Sequence, residues 1–193
     1  MVDDVPESQD REVPRPPRRN GSPPKVLVEL GAYVGSSAVA WGQILRDLDQ
    51  GQAACRVFTV ELEPAFASIS RDLISLAGLS DVVTVLQGQS GDILRTLKAE
   101  HGVDKIDVLF IDHWEKFYLP DLQLVEELGL FRKGSLVLAD NTDNPGTPAY
   151  LAYVKKGGSG EGGVRYESVS HKTVAREGVP VSAYRRSSNT PWI

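Results

Sequence analysis

Ile106–Trp114 reads IDVLFIDHW and Gly134–Asn141 reads GSLVLADN. Each is an apolar run too short for a helix that stops abruptly in charged or amide side chains, the pattern of a buried parallel strand ending at a functional edge. In open α/β sheets ligands collect outside the carboxyl ends of the strands, so Asp112, Asp140 and Asn141 can meet although 28 positions separate the first two. Two carboxylates and an amide suit a hard cation such as magnesium, which takes oxygen ligands and leaves room for a substrate oxygen. A strand-terminating Asp112 and an Asx turn at Asp140–Asn141 is the purely structural alternative.

Working outward, further strand-like runs occur at VLVEL (26–30), RVFTVEL (56–62) and VVTVLQG (82–88), in addition to IDVLFID (106–112) and GSLVLAD (134–140). Between them apolar residues recur at helical spacing, as in Ile69, Leu73, Leu76 and in Leu122, Val125, Leu128. That alternation predicts βαβ units and a doubly wound, mostly parallel sheet with helices on both faces. A helix is expected over 147–155, then a glycine-rich link, then VRYESVS (164–170) and VPVSAYRR (179–186) as a terminal antiparallel hairpin. The glycines between 157 and 163 follow a helix and lack a closing Gly-Lys-Ser/Thr, so they are read as a connection, not as a phosphate loop.

The 193 residues fit one domain, at 25–186, flanked by a proline- and arginine-rich stretch at 1–24, expected to be disordered, and a short tail at 187–193. A formal charge of −5 argues against a nucleic-acid partner. Cys55 is the sole cysteine, which excludes an internal disulfide and fits a reducing compartment. No apolar run reaches the roughly 20 residues of a membrane span and the start is acidic, so the expectation is a cytoplasmic protein without a membrane partner.

The loop after the first strand, ELGAYVGSS (29–37), turns on Gly31 and Gly35 and brings backbone N–H groups near a ligand. Its spacing is not G-x-G-x-x-G, which disfavours a dinucleotide. Glu61, ending the second strand, is placed to accept from ribose hydroxyls. Glu29 lies at the end of a buried strand, where an unpaired carboxylate is costly, so it needs either a neighbouring Lys or Arg or a cationic part of a ligand. Gln89 and Ser90 could bond a purine edge, although Ser90 as a helix N-cap is equally ordinary. Ribose, purine and an amino group without pyrophosphate describe S-adenosylmethionine.

ELGAYVGSS (29–37), TVELEP (59–64), LFIDHW (109–114), YLPDLQLVEELGL (118–130), RKGSLVLADN (132–141) and NPGTPAYL (144–151), in this order, resemble catechol O-methyltransferase. The resemblance covers roughly Lys25 to Val154. It implies a methyltransferase sheet of about seven strands with an antiparallel end. It further implies that Glu29, Ser37, Glu61, Leu62, Ser90 and Asp112 hold S-adenosylmethionine and that Asp112, Asp140 and Asn141 bind magnesium. Asn141, Trp114 and Pro145 would meet a small catechol substrate, with Trp114 and Pro145 as walls against its ring, and a monomer is expected. His113 is expected to make a binding contact.

Three departures from the family stand out. The segment before the first strand is PRPPRRNGSPP, unlike the family's helical segment and cofactor-covering loop. Glu115 occupies the place of the catalytic lysine, with Lys116 one position later as the candidate in its stead. The hairpin acid aligns with Pro180, with Glu177 as a candidate replacement. A non-catalytic relative that keeps the fold and cofactor binding is therefore the alternative reading.

Overall fold

Five apolar runs pair as parallel strands: β1 (Val26–Leu30), β2 (Arg56–Glu61), β3 (Val83–Gln87), β4 (Ile106–Ile111) and β5 (Phe131–Ala139), in the order β3-β2-β1-β4-β5. The structure, a computed structural model, describes residues 23–50, 55–160, 163–174 and 180–186. β1 and β4 are buried along nearly their whole length. Both faces of the sheet are covered, which is why these strands read as continuous apolar runs and not as alternating ones.

The crossovers are helical. α1 (Ser36–Asp49) and α2 (Pro64–Leu76) bury Ala38, Leu45 and Ile74 against Leu27, Val57, Val83 and Val108 on one face. On the other face α3 (Ser90–His101), α4 (Tyr118–Glu127) and α5 (Pro148–Lys155) bury Leu94, Leu97, Leu122, Val125 and Tyr150 against Val28, Phe58, Leu109 and Val137. The sheet is thus doubly wound. Strand order reverses at β1, with β2 on one flank and β4 on the other, so a crevice opens outside the carboxyl ends of β1 and β4.

The opposite end of the sheet is fastened by Asp107. Its Oδ2 accepts the backbone N–H groups of Lys25 at 2.8 Å and Val26 at 3.0 Å, and its carboxylate pairs with Arg132. These contacts set where β1 begins relative to β4, and so how far its far end projects into the crevice.

The expected sheet of about seven strands is corrected to five. β6 (Ser168–Val174) and β7 (Pro180–Arg186) pair antiparallel with each other as a separate two-stranded element. The first of these strands starts four residues later than the alternation in 164–170 suggested. Val164 and Tyr166 instead pack on the main core, a use of apolar residues that mimics a strand face. The helix expected over 147–155 is α5, with Thr147 at its cap position. The stretch 1–24 lies outside the described residues as far as position 22, as do Glu177 and the tail 187–193. Among the described residues no helix is long and apolar enough to cross a membrane.

Candidate active site

The β1–α1 loop forms the floor of the crevice. Gly31 has φ +100°, and a Cβ built there would lie 2.4 Å from the carbonyl oxygen of Asp112, so only glycine lets this loop approach the end of β4. Asp112 N–H in turn donates to the Leu30 carbonyl at 2.9 Å. Tyr33 is also held in the left-handed region, at φ 49°. Its N–H donates to Glu61 Oε2 at 2.7 Å, while Glu63 N–H donates to Oε1 at 2.9 Å. Glu61 is therefore fixed at the end of β2 by two backbone donors, with the remaining lone pairs of a half-buried carboxylate turned to the edge.

Glu29 is fully buried in β1, and no ion pair with a Lys or Arg reaches it among the described residues. It lies directly across from Thr59 of β2, whose hydroxyl donates to Oε2 at 2.5 Å. Oε1 is buried without a hydrogen-bond partner. Burial pushes the carboxyl up from 4.5 to about 7; the nearby Ser37 and Thr59 hydroxyls offset part of the rise, and the charge of Asp112 adds to it. The Ser37 hydroxyl comes near the carboxylate without closing a hydrogen bond to Oε1. A buried acid with an orphaned oxygen at the head of a crevice suits a cationic ligand group.

Leu62, just beyond β2, is 53 % exposed and free to pack on a ligand face. Ser90 is the first residue of α3, whose cap position is taken by Gln89 without a side-chain bond. The N-cap alternative for Ser90 is thereby corrected, and its half-buried hydroxyl stands at the helix start.

β4 and β5 are neighbours in the sheet, so Asp112 and Asp140, each one residue past its strand, come together. Burial, and after it the charge of Asp140, raises the Asp112 carboxyl from 3.8 to about 6. Asn141 follows in the left-handed region at φ 51°, its N–H donating to Asp140 Oδ1 at 2.7 Å. Among the described residues no three His, Cys, Asp or Glu side chains gather to hold a metal. The strand-end set instead has two acids and an amide. Its donors are oxygens and its carboxylates oppose each other, a chemistry that fits a hard divalent cation.

Beyond Asp112 the chain makes one 3₁₀ turn, Glu115–Phe117, and enters α4. Trp114 is 61 % exposed and lies parallel to Phe117, with ring centroids 6.4 Å apart. The exposed Lys116 places its ammonium 4.7 Å from the Trp114 ring centroid and 4.8 Å from that of Phe117, a cation–π arrangement on the aromatic pair. Glu115 is half-buried. Its charge acts on the Tyr118 hydroxyl, which burial first, then Asp112, Asp140 and Glu115, hold well above its ordinary range. Pro145 is exposed within the turn Thr142–Gly146 that follows Asn141.

The structure thus gathers Glu29, Ser37 and Asp112 around the loop and Asp112, Asp140 and Asn141 at the strand ends. Thr59, Tyr118 and Asp121 are additions that sequence reasoning passed over. His113 Nε2 lies 2.7 Å from Asp121 Oδ2, with both side chains largely buried. Thr59 had a legible signal, a polar residue inside a buried strand; Tyr118 and Asp121 read as ordinary members of a helix.

Residues 28–142 match the family model of a methyltransferase domain. Over 168 residues the chain is 39 % identical to catechol O-methyltransferase of Mus musculus, an alignment covering 87 % of this chain and 61 % of that protein. Over 132 residues it is 47 % identical to catechol O-methyltransferase of Sus scrofa, covering 68 % of each. It spans less than two thirds of the mouse relative's length. The fold superposes with a TM-score of 0.69, at 22 % identity, on an O-methyltransferase from Bacillus cereus in complex with SAH, over 86 % of this chain and 74 % of that one.

Proposed function

The chain belongs to the catechol O-methyltransferase family, and from that premise we propose that it transfers a methyl group from S-adenosylmethionine to one hydroxyl of a catechol or related ortho-diphenol, assisted by magnesium. The observation that carries the reading is the pair of strand-end carboxylates, Asp112 and Asp140, whose charges oppose each other beside Asn141. Such a set is unfavourable alone and favourable around a divalent cation. When bound, S-adenosylmethionine supplies an electrophilic methyl group, and magnesium lowers the pKa of a substrate hydroxyl.

The chain's residues supply positioning. Glu29 takes the ammonium of the methionyl part through its orphaned Oε1, with Ser37 beside it. Glu61, fixed by Tyr33 N–H and Glu63 N–H, accepts from the ribose; Leu62 packs on the adenosine and Ser90 bonds the adenine. Asp112, Asp140 and Asn141 hold the metal, and Trp114 and Pro145 wall the aromatic ring. Lys116, ordered on the Trp114 ring, handles the proton at the rim. Holding two reactants in line supplies much of the rate enhancement in such a transfer.

A second reading, cofactor binding without turnover, is favoured by Glu115. Its carboxylate adds negative charge beside the forming phenolate, where the family carries a lysine. Transfer of labelled methyl to catechol with magnesium separates the two readings. Turnover abolished by chelator and by Asp140→Ala supports the enzyme; binding of S-adenosylmethionine without turnover supports the second reading.

A further inference from the structure

We propose that the first turn of α4 is a clamp that sets the spacing of the two acidic strand ends, with Tyr118 and Asp121 as positioning residues for the metal-binding set. The inference rests on the metal-assisted reading above and assigns that site two residues that do not themselves bind the ion.

Tyr118 and Asp121 are three positions apart and so share one face of α4. Pro120 falls between them in the first turn, where its missing N–H would have no intrahelical partner in any case. Tyr118 is 1 % exposed, and its hydroxyl donates to the backbone carbonyl of Asp140 at 3.1 Å, which ties α4 to the end of β5. Asp121 holds His113 at 2.7 Å, which ties the same turn to the end of β4, one residue past Asp112. The two ties are joined. The Tyr118 ring stacks on the His113 ring, with centroids 5.4 Å apart and planes 17° from parallel, and meets Tyr150 of α5 edge-on at 5.8 Å.

β4 and β5 share no hydrogen-bonded register beyond Ile111 and Ala139. Past those residues, among the described residues, only the Asp140 N–H bond to the Ile111 carbonyl, at 3.1 Å, joins the two ends within the sheet. The carboxylates repel each other across that gap. Tyr118 and Asp121 hold it from behind, on side chains packed in the core, where rotamers are fixed.

The test is calorimetric titration of magnesium into the protein saturated with S-adenosylhomocysteine. Tyr118→Phe keeps the ring stacking and removes one hydrogen bond to Asp140; it is expected to weaken magnesium binding about fivefold, the size of one net hydrogen bond. Affinity for S-adenosylhomocysteine should change less than about twofold, a split that general loss of structure does not produce. Asp121→Asn is the second variant, with the same expected direction, and serves if Tyr118→Phe does not fold. In the double variant the losses should be less than additive, because both act on one unit. Equal magnesium affinity in the unaltered protein and in both folded variants overturns the clamp alone. Absence of magnesium binding by the unaltered protein that still binds S-adenosylhomocysteine overturns the metal-assisted reading and the clamp together.

Discussion

Replacing Glu29 with glutamine should make the ligand-free protein more stable at alkaline pH while removing its capacity to bind the methyl donor. The folded-state pKa of Glu29 is about 7 against an ordinary 4.5. Between those values the folded state holds a proton that the unfolded state has released, so stability falls as pH rises through the window. Below it both states are protonated and the penalty is absent; above it both are ionised and the penalty is complete. A gap of about 2.5 pH units at about 1.4 kcal/mol each corresponds to about 3–4 kcal/mol. Glutamine preserves the shape and can still accept from the Thr59 hydroxyl, but carries no charge to desolvate. For a chain of this length the variant should melt about 5–10 °C above the unaltered protein at pH 8. At pH 5 the difference should shrink to about 2 °C or less, since little of the wild-type carboxylate is ionised in the fold there. Differential scanning calorimetry at both pH values measures this, and the comparison between variants cancels the titrating groups that do not interact with Glu29. S-adenosylhomocysteine should then raise the melting temperature of the unaltered protein and leave that of Glu29→Gln nearly unmoved. Equal melting temperatures of the two proteins at pH 8 would refute the assignment of Glu29 as an uncompensated buried acid. An undiminished ligand-induced rise in the variant would refute its role toward the ammonium.

Magnesium affinity should fall about tenfold for each pH unit below 6, because the raised Asp112 carboxyl must lose its proton to bind the ion; calorimetric titration at pH 5, 6 and 7.5 checks this, and a flat profile removes Asp112 from the metal set. In chelator the same raised value makes Asp112 a source of stability that is present below pH 3.8 and lost as pH rises through about 6, visible as a falling melting temperature that Asp112→Asn abolishes. Gly31→Ala should abolish methyl transfer and S-adenosylhomocysteine binding, since its Cβ would meet the Asp112 carbonyl at 2.4 Å with the backbone at φ +100°; retained binding would show that the β1–α1 loop does not need its close approach to β4. Lys116→Ala should lower kcat about 10²-fold with the affinity for S-adenosylhomocysteine unchanged; a loss under about threefold takes Lys116 out of proton handling.

The parts of the fold that were legible are those where burial on both sides leaves a continuous apolar run. The inner strands were visible for that reason, and the carboxyl-end location of the site followed from the rule for open α/β sheets, whereas the order β3-β2-β1-β4-β5 was not read from the runs themselves. Of the last two strands the second falls within a residue of its expected place, while the first was misplaced. Val164 and Tyr166 alternate with polar neighbours as a strand would, yet they pack on the main core, and alternation alone does not tell a strand face from two anchor residues in a loop. At the site, acids and amides at strand ends announced themselves because such side chains are out of place after an apolar run. Tyr118 and Asp121 did not, for each is unexceptional in an amphipathic helix until the partner across the fold is known.

The residues that hold the fold together and those that hold the site differ in how their charges are matched. At the amino end of the sheet Asp107 has two backbone donors and Arg132, an arrangement that satisfies a buried carboxylate. At the carboxyl end Glu29 keeps an orphaned oxygen, and burial raises both Glu29 and Asp112, with the charge of Asp112 adding to the first and that of Asp140 to the second. The same residue type in the same sheet is thus compensated at one end and left short of positive charge at the other. A deficit so placed has a direct chemical consequence: an ammonium at Glu29 and a divalent cation at Asp112 and Asp140 would each supply positive charge that the chain itself does not provide there. The acidic end of the sheet is in that sense a single electrostatic unit, with Asp112 as the member shared between its two halves.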